Sequence, residues 1–244
     1  MDSHSASSEA PRVFPHTRWS VVLAARQSTP ESAVALEAIC HAYWYPLYAY
    51  IRRCGHVSHD AQDLTQAFFC RLLEKRLLDA ADREKGKLRS FLITSLKNFM
   101  NNEWRRAATL RRGGGQLRMQ FDTAFAESRF AADRQALGPD ETYDQQWAFT
   151  LLDLTMKRLQ AEFAAAGKPE EFEALKECLM AVRGGIDYAV TAGKLGVNEG
   201  AARVAVHRLR KRFREIYREE ILQTLADGAE VEAELRHLAA ALAR

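Results

Sequence analysis

Apolar residues recur along most of this chain at intervals of three and four positions, which is the spacing of one face of an α-helix. Between residues 60 and 74 such a stripe is formed by Ala61, Leu64, Phe68 and Leu72. The strict alternation of apolar and polar residues that marks a half-buried strand is scarce. The pattern therefore predicts an all-α protein.

Glycine and proline divide this helical pattern into two blocks. Residues 113–140 hold Gly113-Gly114-Gly115 and Gly138-Pro139, which are typical of a linker. After it, acidic residues surround an apolar stripe close to the C-terminus. We predict a loose N-terminal tail (1–16), a first small helical domain (17–112), a linker (113–140), a second small helical domain (141–225) and a C-terminal amphipathic helix (226–244).

Residues 188–214 carry the most informative pattern. A short helix over 188–195 should end at Gly196, because glycine readily adopts the left-handed conformation that closes a helix. Asn198 can then cap a second helix, whose buried stripe is Ala202, Val206, Leu209 and Phe213. This is the pattern of a helix-turn-helix whose second helix can enter a major groove, although two helices joined by a glycine also occur in plain bundles.

The formal charge is small overall and concentrated locally. The 244 residues carry a net charge of +3, but residues 101–118 alone carry +4 and residues 203–218 carry +6, so the remainder is acidic. Each basic segment contains a single acidic residue, whereas a solvated helix face usually mixes both signs. Two contact zones for a polyanion such as nucleic acid are therefore favoured over plain solvation.

The sequence lacks the patterns on which most enzymes and metalloproteins depend. Its four cysteines form no C-x-x-C pair, and no phosphate-binding loop, G-x-S-x-G or H-E-x-x-H motif is present. We therefore expect no enzymatic activity, no cofactor and no metal. With no secretory signal and no run of about 18 apolar residues, we expect a cytoplasmic protein without membrane insertion.

Three segments, in this order, resemble the bacterial RNA polymerase sigma factors of the two-domain extracytoplasmic-function (ECF) class. DAQDLTQAFFCRLLE (60–74) resembles the part of that family that docks on core polymerase. GKLRSFLITSLKNFMNNEWRRA (86–107) resembles the part that opens the promoter and reads its −10 element. YAVTAGKLGVNEGAARVAVHRLRKRFRE (188–215) resembles the helix-turn-helix that reads the −35 element. The resemblance implies a factor that directs transcription initiation.

The resemblance also implies three sets of contact residues, with core RNA polymerase and promoter DNA as partners. Phe69 and Trp104 have an alternative role as core side chains. The polymerase-binding set is Asp60, Asp63, Leu64, Gln66 and Phe69. The −10 set is Asn98, Asn101, Asn102, Trp104, Arg105 and Arg106. The −35 set is Glu199, Arg203, His207, Arg208, Arg210 and Lys211.

The −35-like segment departs from the family at two places. Val190 and Thr191 stand where an acidic and a large aliphatic residue are usual, and Ala201, Val204 and Ala205 stand where polar residues are common. Phosphate contacts are therefore expected to carry more of the binding there than contacts to bases. The sequence leaves open whether an anti-sigma factor or another regulatory protein binds as well.

Two other functions remain open. A helix-turn-helix regulator that acts without polymerase would use residues 188–214 but would leave the 60–74 motif without a role. An all-helical adaptor that binds only protein would leave both basic segments without one. The C-terminal helix has two possible roles. It is either an extra helix that caps the last domain, or a helix that docks on a basic DNA-binding surface or on a regulator.

Overall fold

The computed structural model describes residues 30–73, 86–107, 123–133, 137–182 and 184–244. Throughout these residues the regular structure is helical, with no strand, as the periodicity predicted. The all-α fold class is thereby confirmed. The predicted tail at 1–16 and the glycine triplet at 113–115 lie outside the described residues.

The first three helices pack around an aromatic core. Helix α1 spans Pro30–Arg53, α2 spans Ser58–Leu73 and α3 spans Leu88–Ala107. The ring of Phe68 on α2 meets the ring of Phe99 on α3 edge-on, with centroids 5.8 Å apart. The stripe predicted on α2 is buried at Ala61, Phe68 and Leu72, and Leu64 packs against the same core.

A short helix lies within the segment predicted as a linker. Helix α4 spans Thr123–Ala132 and buries Ala126 in the first core. Its Glu127 carboxylate accepts hydrogen bonds from Arg52 on α1, with Oε1 2.7 Å from Nη2, and the Arg129 guanidinium lies 4.1 Å from the centre of the Tyr45 ring. Residues 123–132 of the segment predicted as a linker therefore form a packed helix.

Helix α5 spans Pro139–Ala165 and belongs to two hydrophobic clusters. In its first half Trp147 stacks on Tyr43 of α1, with ring centroids 4.1 Å apart. In its second half Leu159 packs with residues from four later helices: α6 (Pro169–Leu175), α7 (Glu177–Met180), α8 (Tyr188–Leu195) and α9 (Glu199–Leu222). Helices α6 and α7 are separated by the single residue Lys176.

The end of α9 returns to the first cluster. Ile221 and Leu225 are buried there, and the Leu88 N–H at the start of α3 donates to the carbonyl oxygen of Thr224 across 3.0 Å. A 3₁₀ turn at Gly228–Glu230 then leads into α10, Val231–Leu242, which is the predicted C-terminal helix. The domain boundaries stay a prediction, but the two clusters described here share α5 and α9.

Candidate polymerase and nucleic-acid interfaces

Helix α2 turns a polar face outward. Asp60 and Asp63 are exposed and Gln66 is half-buried. Within the described residues Asp63 pairs with His59, one turn earlier, with Nδ1 3.3 Å from the carboxylate. Because this pair is solvent-exposed, it contributes little to stability. These acidic side chains are therefore available to an external partner.

Two members of the predicted polymerase-binding set belong to the core instead. Phe69 is only 1% exposed and meets Phe68 edge-on, with ring centroids 5.7 Å apart. Leu64 is half-buried against the same core. The burial of Phe69 favours its alternative role as a core side chain over that of an anchor for polymerase, because a side chain enclosed on all sides has no surface to offer. Phe69 follows Phe68 of the apolar stripe on α2, and both side chains face the core.

Helix α3 presents three amides on one face. Asn98, Asn101 and Asn102 are all exposed, and their spacing of three and four places them side by side on the helix. The opposite face buries Leu92, Leu96 and Phe99. Side-chain amides can bond to the edges of unpaired bases. The side chains of Trp104, Arg105 and Arg106 lie outside the described residues, so their −10 assignments stay predictions, as do those of the three asparagines.

The turn between α8 and α9 has the local geometry predicted from Gly196 and Asn198. Gly196 ends α8 in the left-handed conformation at φ 64° and ψ 31°. The Asn198 side chain accepts a hydrogen bond from the Ala201 N–H across 2.8 Å and so caps α9. A second cap was missed: the Asp187 carboxylate accepts from the N–H groups of Ala189 and Val190 at the start of α8. An acidic residue just before an apolar helix is the signal that could have revealed it.

Basic side chains form a strip along the outward face of α9. The strip consists of exposed residues on the side opposite the buried stripe of Ala202, Val206 and Leu209. At its start the Arg203 guanidinium lies 4.1 Å from the centre of the Tyr188 ring and 4.0 Å from the Glu199 carboxylate. We call this set of exposed residues the α9 strip: Arg203, His207, Arg208, Lys211 and Arg214.

Arg210 does not belong to this strip. Its guanidinium donates to the carbonyl oxygens of Cys178 and Ala181, with Nη2 2.6 Å from each. These contacts hold the end of α7 against α9. Arg210 thus positions the segment that precedes α8, and its place in the −35 set stays a prediction. Lys211, one residue later, is exposed and lies 3.9 Å from the Glu215 carboxylate.

Arg212 is likewise engaged within the chain. It donates to both carboxylate oxygens of Glu162 on α5, at 2.8 and 2.7 Å, and also reaches Glu215 and Glu219. The hydrogen bond from Arg212 lowers the pKa of Glu162 and, in turn, raises the pKa of Arg212. The +6 charge of this segment thus overstates the charge that it can offer to DNA.

The apolar residues at the start of α9 line a groove. A groove of about 740 Å³ lies between the end of α5 and the first turns of α9. Ala201, Val204 and Ala205 form one wall and Phe163 contributes to the other, while Arg208 lies at the same groove. These are the positions where polar residues would be common in the family, and their apolar character here fits a surface turned partly toward this groove.

Within the described residues, the geometry brings no three His, Cys, Asp or Glu side chains together as metal ligands. Cys40 and Cys178 are buried, and burial raises the pKa of the Cys40 thiol to about 12, so it stays protonated. Among the described residues, each helix is too short or too polar to cross a bilayer.

Comparison with known proteins finds a similarity in the first part of the chain. Residues 41–109, which include α2, α3 and most of the first core, match the family model for Sigma-70 region 2. The match spans 69 of the 244 residues and shows that this part of the chain is similar to region 2 of the sigma-70 family. No curated protein and no solved structure matches the chain significantly.

Proposed function

We propose that this chain is a sigma factor of the ECF class, which binds core polymerase through α2 and contacts promoter DNA through α3 and the α8–α9 pair. The observation that carries the proposal is the position of the family match. Residues 41–109 contain both the exposed acidic face of α2 and the amide face of α3. The two helices adjoin at the Phe68–Phe99 contact, so polymerase and an opened promoter would be bound side by side.

The −10 role assigned to α3 follows from the chemistry of opened DNA. Unpaired bases expose edges that amides can bond and faces on which aromatic rings stack, for about 1–3 kcal/mol per base. Asn98, Asn101 and Asn102 offer the amides, and Trp104, Arg105 and Arg106 follow on the same helix. Capture of such a base offsets an unstacking cost of a few kcal/mol.

The −35 role assigned to α9 depends on charge and shape. The α9 strip is basic and outward-facing, and the capped turn before it allows the first turns of α9 to approach a major groove. Arg203 and His207 are the polar side chains nearest the start of the strip. Since Val204, 49% exposed, stands beside them, most of the affinity is expected from phosphates.

The proposal implies a protein without enzymatic activity of its own, acting in the cytoplasm, where core polymerase and promoter DNA are found. An anti-sigma factor is a compatible partner, and the apolar groove beside α9 is one surface on which a protein partner could bind.

A pull-down with core polymerase tests the proposal. The full chain should co-purify with core enzyme at low salt, and Asp63→Ala should weaken this binding. Ala67→Ser, which changes an exposed neighbour on the same helix without altering its charge, is the matched control. The α9 strip favours one rival, a helix-turn-helix regulator that acts alone. DNA binding without any core binding would support that regulator and overturn the proposal.

A further inference from the structure

The C-terminal helix α10 covers the joint at which α9 meets α3. Val231 and Leu238 of α10 are buried in the first core, and Leu235 and Leu242 pack against it. Ile221, near the end of α9, and Leu225, just after it, lie in the same core. The joint itself is closed by the 3.0 Å hydrogen bond from the Leu88 N–H to the Thr224 carbonyl.

A buried carboxylate fastens α10 to α3. The Glu234 side chain is 1% exposed, with Oε1 2.5 Å from Nε of Arg89 and Oε2 2.6 Å from Nζ of Lys87. Burial alone would raise the pKa of Glu234, but the hydrogen bonds and charges of Arg89 and Lys87 outweigh it and lower this pKa. Glu234 is therefore ionised, and removing it leaves the largely buried Arg89 with Asp144 of α5 as its remaining anion.

Further ion pairs fasten α10 to α5 and to α9. His237 lies 2.8 Å from the Asp144 carboxylate of α5, and Arg244, just beyond α10, lies 3.0 Å from Glu141 of α5. Glu232 of α10 pairs with Arg218 of α9. One short helix thus contacts α9 and α3, which meet at the joint, and also α5.

The closed joint limits the distance between the two predicted DNA-contacting surfaces. At 1.5 Å per helical residue, Arg203 lies about 29 Å along α9 from its last residue, Leu222, and Asn101 lies about 20 Å along α3 from Leu88. Including the two residues from Leu222 to Thr224, at most about 7 Å, and the contact between Thr224 and Leu88, the backbones of the two surfaces can be no more than about 60 Å apart. Elements centred near −10 and −35 are separated by about 25 base pairs, or about 85 Å of straight duplex at 3.4 Å per pair.

We propose that α10 is an intramolecular clasp, with Glu234 as its central contact, that holds α9 against α3 in the free protein and must release before both promoter elements are engaged. The inference rests on the proposed function, because only a promoter with two separated elements requires the joint to open. A ligand or partner that binds only the open form loses apparent affinity in proportion to the fraction of chain that is closed.

Hydrogen exchange on the full-length chain, with and without core polymerase, tests the clasp. In the free wild-type chain, amides of 86–92 and 217–225 should be protected, and adding core polymerase should speed their exchange. Glu234→Gln should speed exchange in these two segments about tenfold or more without polymerase, while 39–51 and 199–213 stay protected. Glu230→Gln, which removes an exposed charge beside α10, should behave as wild type.

A second variant acts in the opposite direction. His237→Arg places a permanent positive charge beside Asp144, so it should slow exchange at 217–225 and reduce the effect of core polymerase. An equal loss of protection throughout the Glu234→Gln chain would mean that Glu234 only supports the fold, and it would overturn the clasp.

Core binding is followed in the same experiment through the exchange of 58–73. If that segment becomes protected by polymerase while 86–92 and 217–225 stay closed, the clasp is wrong and the proposed function stands. If 58–73 does not respond to polymerase at all, the proposed function itself fails.

Discussion

The Arg210 guanidinium donates to the carbonyl oxygen of Cys178, 32 residues earlier in the chain, with Nε 2.9 Å and Nη2 2.6 Å from that oxygen. Because of this contact, two adjacent basic residues have different roles. Arg210 holds α7 on α9 from the inside, whereas Lys211 lies in the exposed α9 strip.

Substitutions at these two residues should therefore have different effects. Arg210→Ala should lower the free energy of unfolding by about 1.5–3 kcal/mol, the range for hydrogen bonds to a charged group. Lys211→Ala should change it by no more than about 0.5 kcal/mol but reduce the salt dependence of DNA binding by about 0.9 in log–log slope. Urea unfolding and salt-titrated mobility shifts measure the two effects. A loss of salt slope in Arg210→Ala at unchanged stability would contradict this division.

The burial of Phe69 leads to a second pair of substitutions. Phe69→Ala should destabilise the fold by about 3–5 kcal/mol, because it empties a core site. Asp63→Ala should leave stability within about 0.5 kcal/mol of wild type and weaken binding to core polymerase. Thermal unfolding and equilibrium binding to core enzyme distinguish the two roles. If Phe69→Ala keeps normal stability but loses binding to core polymerase, Phe69 is an anchor for polymerase.

Asn98 is expected to act on opened DNA more than on duplex. Asn98→Ala removes an amide that can bond a base edge, worth about 1 kcal/mol, so the open fraction of promoter should fall about fivefold. Duplex affinity should change less than about twofold. A fluorescent base probe reports opening and a mobility shift reports duplex binding, with the exposed neighbour Thr94→Ala as the control. Equal losses in both assays would refute the assignment.

The pair between Glu162 and Arg212 makes stability depend on pH. The hydrogen bond from Arg212 lowers the pKa of Glu162 below its ordinary value of 4.5. The unfolded chain therefore takes up a proton at higher pH than the folded chain, so this stabilisation is complete above about pH 4.5 and is lost as the pH falls further. Melting temperatures from pH 7 to pH 3.5 should fall less steeply for Glu162→Gln than for wild type or Glu170→Gln. Identical slopes in all three would show that the pair has no such effect.

Much of the fold could be predicted from the local spacing of apolar residues in the sequence. The stripe of Ala202, Val206 and Leu209 predicted which face of α9 is buried, and Gly196 and Asn198 predicted the turn before it. These features depend on residues within a few positions of one another, so the sequence alone determines them.

Contacts between distant segments could not be predicted in the same way. Arg89 and Glu234 pair across 145 positions, and no local pattern identifies a charge that will be buried by a partner so far away. Arg210 looked like its basic neighbours for the same reason, because the carbonyl oxygens it satisfies come from α7 and the residues after it. The local charge of +6 therefore indicated the basic α9 strip but included arginines that are held inside the chain.

Reconstituted run-off transcription with core polymerase over a promoter library tests whether this chain acts as a sigma factor. The full chain should direct initiation at a shared pair of elements about 25 base pairs apart, the separation of positions −10 and −35. Lys211→Ala and Asn98→Ala should each reduce transcript yield at those promoters. Transcripts no more frequent than with core polymerase alone, from a folded chain that binds DNA, would show that it is not a sigma factor.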